Sequence, residues 1–459
     1  MLYSMQGPVR SRDRMIILLI IFKEYSVSSK SSKNDFFQLK AHGTTVKTEV
    51  VAGLTTFMTM AYILIVNPEF LSIAGMDAGG VFTATAVSAA VATLVMGLWA
   101  KLPFALAPGM GLNAFFAFGV VLGMGYSWQM ALTAVFIEGI IFIILTFFNI
   151  REAIINSIPA NVKKAVSVGI GLFIAFIGLQ GAGIIVNDDA TLLTLGSITG
   201  GTALLAIIGL VIMGVLLALR VKGALLIGIV LTTIIGIPMG ITNMPSGSWL
   251  PPSPKEVFWQ FDFSNVFSLD MLVILFTFLF VDMFDTVGTL IGVSTKAGLL
   301  DKDGKIPRVK QALFADAIGT TFGAIMGTST VTTYVESASG VSEGGRTGLT
   351  SVVTAALFLV ALFLSPLFLM VPGAATAPAL ILVGLFMMSP VKEINFEEFT
   401  EAIPAFLTII MMPLTYSIAN GIMFGMLSWI ILKVLTGKFR SIPVLSYIVG
   451  ILFLLKVFL

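Results

Sequence analysis

The chain has no cysteine and a single histidine, His42, in 459 residues. Without thiols there are no disulfides and no thiolate metal sites. With one histidine near the amino terminus, haem ligation and a Ser-His-Asp triad have almost nothing to draw on. His42 reads as a solvated tail residue. Charge is also scarce. Asp, Glu, Lys and Arg make up 11% of the residues, against about 25% in a soluble domain. The net charge of +2 is too small to imply nucleic acid or an acidic partner. What remains is apolar: 57% of positions are hydrophobic, and no soluble domain of ordinary size fits. The composition is that of an all-α polytopic membrane protein whose first partner is the lipid bilayer.

Residues 1–45 read as a cytoplasmic tail, polar and basic. Its one apolar run, Met15 to Phe22, is far short of the roughly 20 residues a span needs. No small-residue cleavage site follows that run, so the tail resembles an upstream start-site extension more than a signal peptide. Beyond it, apolar runs place fourteen spans at 48–66, 80–99, 104–124, 128–148, 163–184, 200–219, 222–239, 270–293, 311–327, 328–345, 347–370, 374–389, 402–417 and 419–436. A proline-rich stretch, PSGSWLPPSP, separates the first seven from the second seven. The distribution of basic residues tests this count. With the amino terminus in the cytoplasm, eight Lys and Arg fall in the tail and sixteen in inner loops, 24 of 26 in all, as the positive-inside rule requires. The last apolar stretch, from Ile442 onward, is left open as an interfacial, re-entrant or fifteenth spanning segment.

Seven spans per half is odd, so two related halves lie upside down relative to each other. Ile158-Pro159 is followed by Gly171-Leu172-Phe173, and Val371-Pro372 by Gly384-Leu385-Phe386 at the same interval. The third and tenth spans, ALAPGMGLNAFF and AIMGTSTVTTYVE, are each broken by Pro or Gly just before a polar residue. Paired interrupted spans in corresponding positions point to a transporter's midplane site. From Ser329 to Tyr334 the tenth span alternates β-branched and small hydroxyl residues, which suits a short extended segment. A helix starting near Glu336 would aim free N–H groups and its positive end into a cavity, and Asn113 is placed to cap the half-helix of the third span.

A carboxylate at the bilayer centre costs about 2.5–3.5 kcal/mol on insertion scales, so each one asks for a reason. Asp282, Asp285, Thr286 and Thr289 recur at three- and four-residue spacings in the eighth span and form one polar stripe. An interhelical hydrogen-bond stripe would look similar, although it rarely spends two acids. Glu138 reads as an inter-span hydrogen bond, and Glu343 with Arg346 as a local ion pair. Glu336, Asp282, Asn113 and Thr332 together suit a compact, neutral, planar ligand with alternating donors and acceptors. Phe115, Phe116, Phe284 and Tyr334 are nearby rings that could stack on it, although ordinary packing is the better explanation of each.

The stretches VDMFDTVGTLIGVSTKAG, GTSTVTTYVESASGVSEGGRTG, LAPGMGLNAFFAF and EAIPAFLTIIMMPLTYSIANGI resemble the purine permeases of the nucleobase:cation symporter family, in its azaguanine/hypoxanthine-guanine branch. The resemblance runs from about Phe36 to Arg440. It implies a seven-plus-seven inverted repeat with short strands in spans 3 and 10. A core domain would comprise 46–150 and 270–371, a gate domain 151–240 and 372–440, with an extracellular loop at 241–269 and a hydrophobic segment at 441–459. It also implies that Asp282 and Glu336 hold the base, that Asn113 matches the amide of span 3, and that Asp285 is a second acid of the branch. Uracil and xanthine members carry Glu where this chain has Asp282.

The expectation is therefore a non-enzymatic purine nucleobase importer in the cell membrane, taking hypoxanthine, guanine or adenine. No cofactor is expected beyond a coupling proton, carried by Asp282 or Asp285, and a homodimer is compatible with the reading. Two rival readings stand against it. An anion transporter of the same fold would take sulfate or bicarbonate, which cavity-facing acids disfavour. An intramembrane aspartyl protease would need a Gly-x-Gly-Asp motif that this chain lacks.

Overall fold

Side-chain caps start many of the helices. Thr45, Asp77, Ser127, Ser268, Thr347 and Ser417 each accept a hydrogen bond from a backbone N–H two or three residues on, satisfying a donor that would otherwise be orphaned at a helix start. The computed structural model describes residues 35–148, 160–245, 248–300 and 306–458. The tail before residue 35, with its Met15 to Phe22 run, lies outside the described residues, as does the side chain of Phe284. Among the described residues nine helices are long and apolar enough to cross a membrane. They are span 1 (Val46–Ile73), span 2 (Ala78–Ala100), span 4 (Trp128–Phe147), span 5 (Asn161–Gly181), span 6 (Gly201–Ala218), span 8 (Leu269–Thr295), span 11 (Gly348–Leu369), span 12 (Gly373–Glu393) and span 14 (Ile418–Leu435).

The other five expected spans are shorter, interrupted or, for span 9, less apolar. Span 7 (Ala224–Gly236) and span 13 (Phe399–Leu414) are short helices, and span 9 is Val309–Met326. Span 3 is strand β1 (Leu106–Pro108) followed by a half-helix, Met110–Gly123. Span 10 is strand β4 (Val331–Thr333) followed by the short helix Ser337–Ser342. All fourteen expected spans thus coincide with an observed element. The segment left open at the carboxyl end is a fifteenth helix, Val444–Phe458, packed on spans 8 and 14. At 15 residues it is about 22 Å long, less than the hydrocarbon thickness of about 30 Å. A hairpin of β2 (Ile185–Asp188) and β3 (Leu192–Leu195) joins spans 5 and 6 and was not expected. Its signal was present in IVNDDATLLTL, where two Asp residues interrupt alternating apolar positions. Asp188 closes the turn by accepting from the Ala190 and Thr191 N–H groups and from the Thr191 hydroxyl, and bonds from Thr191 hold its carboxyl below the usual range.

Contacts between spans fall mostly into two groups, with span 3 touching both. Spans 1, 2, 4, 8, 9, 10 and 11 pack among themselves, and spans 5, 6, 7, 12, 13 and 14 pack among themselves. Each group draws on both halves of the sequence. In the second group the repeated glycines face each other. A Cβ on Gly171 would lie 2.6 Å from the Gly384 carbonyl oxygen, and a Cβ on Gly384 would collide in turn with the Gly171 carbonyl. In the first, buried Glu49 of span 1 holds the start of span 11, accepting from the Arg346 N–H at 2.9 Å and the Thr350 hydroxyl at 2.6 Å. Between the groups, Lys222 of the span 6–7 connection pairs with Glu343 at the end of span 10. This corrects the expected Glu343–Arg346 pair: the Arg346 guanidinium donates instead to the carbonyls of Val341 and Gly345.

Candidate substrate site at the crossed strands

β1 and β4 pair antiparallel, with Ala107 opposite Thr332, and backbone bonds from Gly109 to Thr330 and from Tyr334 to Ala105, both 2.9 Å, continue the ladder at its ends. Two strands alone leave outer backbone groups unpaired, which is costly away from water. Threonines from the flanking spans meet part of that demand. Thr93 of span 2 donates to the Leu106 carbonyl and accepts from its N–H, and Thr320 of span 9 donates to the Val331 carbonyl at 3.0 Å. These two ties stand at equivalent places in the two repeats. Gly327, at φ +97°, ends span 9 and turns the chain back toward β4. Only glycine adopts that conformation without strain.

From this frame the expected residues project as follows. Glu336 immediately precedes the helix Ser337–Ser342, as expected for a residue at its start, and is half-buried. Its Oε1 accepts from the Tyr62 hydroxyl at 2.7 Å. Tyr62 sits where span 1 is interrupted between its two helical halves. Thr332 is fully buried and donates to Asp285 Oδ2 at 3.2 Å. A Cβ on Gly109 would lie 2.5 Å from the Thr332 methyl carbon, so the glycine is what lets span 3 pack this closely on the threonine that bonds Asp285. Tyr334 is buried and donates to the Pro108 carbonyl at 2.5 Å.

The two acids of span 8 therefore part company. Asp285, half-buried, lies against β4. Asp282, fully buried, lies with Oδ1 3.2 Å from the Thr286 hydroxyl, and that hydroxyl reaches Asp316 of span 9 at 2.6 Å. A hydroxyl has one proton to give, and the shorter contact assigns it to Asp316. Asp316 was missed by sequence reasoning, although the insertion cost that singled out the other acids applies equally to it.

Asn113 is buried inside the half-helix of span 3, not at its start, where Gly109 stands without a side-chain cap. Its Nδ2 turns back to the Pro108 carbonyl at 3.4 Å, and its Oδ1 accepts from the Ser329 hydroxyl at 2.5 Å. Ser329 lies 3.4 Å from Asn67 Oδ1 as well, and Asn67 donates to Thr85 and Thr328. This buried chain of amides and hydroxyls fixes the approach to β4 from span 1. Beyond Asn113 the half-helix widens into a π-helix, Phe115–Gly123, a form that concentrates at functional sites. Phe115 and Phe116 are fully buried, and Phe115 packs edge-on against Phe278, which is core packing. Glu138 of span 4 accepts from Thr330 at 2.8 Å, the inter-span bond expected of it. Ser329→Ala removes the donor to Asn113 and is expected to cost about 1–3 kcal/mol with the fold retained. Thermal unfolding of purified protein measures this, and an unchanged midpoint would contradict the assignment.

The arrangement offers carboxylates and carbonyls as acceptors. No Lys or Arg occurs between Lys255 and Lys296 or between Lys310 and Arg346, so spans 8 and 10 bring no cation to the site. Residues 47–424 match the Xan_ur_permease family model, described as a permease family. The chain is 47% identical to the adenine permease AdeP of Escherichia coli strain K12, over 92% of this chain and 95% of that one. It is 48% identical to the guanine/hypoxanthine permease PbuG of Bacillus subtilis strain 168, over 92% and 98%. Among solved structures, the transmembrane domain of a cyanobacterial bicarbonate transporter, BicA, matches with a TM-score of 0.61 at 16% identity, covering 83% of this chain and 97% of that domain. At that identity the likeness is one of fold.

Proposed function

The chain belongs to this nucleobase/cation permease family, and from that premise we propose that it imports purine nucleobases into the cell by proton symport. The observation that carries the reading is the placement of Glu336 and Asp285 around the β1–β4 crossing, with no basic residue on the spans that bear them. Such a wall accepts hydrogen bonds and repels anions. A purine presents adjacent N–H donors on one edge of a flat, neutral ring system and is matched by it.

In this reading Glu336 accepts N–H groups of the base, Asp285 and Thr332 face it across the strand, and the Tyr62 hydroxyl holds the Glu336 carboxyl in position. Asn113 and Tyr334 shape the floor through Pro108. Asp282, with Thr286 and Asp316, carries the coupling proton beside the site. Protonation removes a charge whose transfer through low dielectric is expensive, so the loaded site crosses more easily than an empty charged one. Spans 1–4 and 8–11 form the moving core, and spans 5–7 and 12–14 the gate it slides or rocks against. The amino terminus is cytoplasmic, as the basic residues of the inner loops favour.

Uptake of radiolabelled hypoxanthine, guanine and adenine by cells lacking their own purine permeases tests this. Saturable uptake is expected, competed by unlabelled purine and not by sulfate or bicarbonate, and collapsing when a protonophore is added. Competition by the anions would replace the substrate assignment, and indifference to the protonophore would remove the coupling.

A further inference from the structure

Away from the crossed strands, on the membrane face opposite the amino-terminal start of span 1, a cavity of about 190 Å³ opens between the two groups of spans. Glu69 and Phe70 of span 1 and Phe118 of span 3 line one side; Gly178 of span 5, Gly373 of span 12 and Tyr416, between spans 13 and 14, line the other. Glu69 is half-buried. Its Oε2 accepts from the Thr376 hydroxyl at 2.6 Å across the seam. Its Oε1 lies where a Cβ on Gly373 would be 2.6 Å away, at the first turn of span 12. The positive end of that helix supports a negative charge there.

An acid placed only to join two spans would be expected to sit in closed packing. Glu69 instead borders open volume, beside rings arranged edge to face: Phe118 is 5.2 Å from Phe70 and 5.7 Å from Tyr416. One carboxylate among three rings recognises a flat heteroaromatic ring with N–H donors on one edge. The size restricts the class further, since pockets for drug-sized ligands hold about 300–1,000 Å³, and this cavity admits a bare base more readily than a nucleoside.

We propose that this cavity is a second, weaker binding site for the transported purine base, occupied between the outside medium and the crossed strands, with Glu69 accepting the base's N–H groups. The proposal rests on the purine reading above and adds to it a position and a residue. When the base is bound, Glu69 has two demands on it, the ligand and Thr376, so occupancy also reports on the seam between the two groups.

Equilibrium binding of radiolabelled base to the full-length protein in nanodiscs tests this, using wild type, E336A, E69Q and E336A/E69Q. E336A should keep saturable binding, competed by unlabelled base and not by the nucleoside, and adding E69Q should weaken that residual binding by about 10–100-fold, the worth of one hydrogen bond to a charged acceptor. In the E69Q single variant the KM for uptake should rise with kcat near wild type. Loss of all saturable binding in E336A, or residual binding indifferent to E69Q, overturns the outer site while leaving the transport reading intact. A wild-type protein that neither binds nor transports purines overturns the transport reading itself.

Discussion

Glu336→Ala is expected to reduce purine uptake by at least about 100-fold at unchanged surface abundance. Each hydrogen bond to a charged acceptor is worth about 1.5–3 kcal/mol, and two adjacent N–H groups of a base on one carboxylate put about 3–6 kcal/mol at stake, or about 10²–10⁴-fold in affinity. The fold should survive. Glu336 is half-buried, and its side chain meets the rest of the chain through the Tyr62 hydroxyl, so the variant removes one internal bond. Glu336→Gln keeps the shape and one acceptor oxygen and should lie between the two. Uptake kinetics within threefold of wild type for the alanine variant would mean that the base is held elsewhere.

The second large effect is structural. Gly384→Leu is expected to abolish recovery of folded protein, and Gly384→Ala to lower stability by about 1–3 kcal/mol, the usual range for overpacking. Spans 5 and 12 meet backbone to backbone at Gly171 and Gly384, and a Cβ on Gly384 would also fall 2.8 Å from the Ala175 Cβ and 3.0 Å from its N. The obstructing atoms belong mostly to main chain, which cannot rotate away as a side-chain tip can. Membrane helices associate through such small-residue contacts because lipid supplies no hydrophobic drive between them. Size-exclusion profiles and thermal unfolding in detergent read the effect, and a Gly384→Leu protein with a wild-type profile would show that the two helices do not lie this close.

Much of this architecture is written in the sequence in physical terms. Hydropathy and the positions of 26 basic residues count the spans, because insertion costs act on composition directly. The strand in span 10 shows as a run of β-branched residues, and the kinship of the two halves shows in Gly171 and Gly384, which the structure then sets against each other. Tyr62, Asn67 and Glu69 did not show. Each is a polar residue of span 1 whose neighbours look ordinary, and its role depends on a partner 261 to 307 positions away: Glu336 for Tyr62, Thr328 for Asn67, Thr376 for Glu69. The separation of Asp282 from Asp285 was equally hidden. Three-residue spacing puts both on one side of span 8, and the spacing alone does not say that Asp285 meets Thr332 of β4 while Asp282 lies beside Thr286, which bonds Asp316 of span 9.

The pairing of β1 with β4 also constrains how the molecule can move. One strand belongs to the first repeat and the other to the second, and their ladder is pinned from behind by Thr93 and Thr320. Pulling the repeats apart would break that ladder among buried residues, where unpaired backbone groups are costly. The glycine contact of spans 5 and 12 sews the same two repeats together elsewhere. Any relative movement of spans that kept both joints intact would therefore have to carry parts of both repeats together, because the two halves of the sequence are interleaved like the fingers of clasped hands.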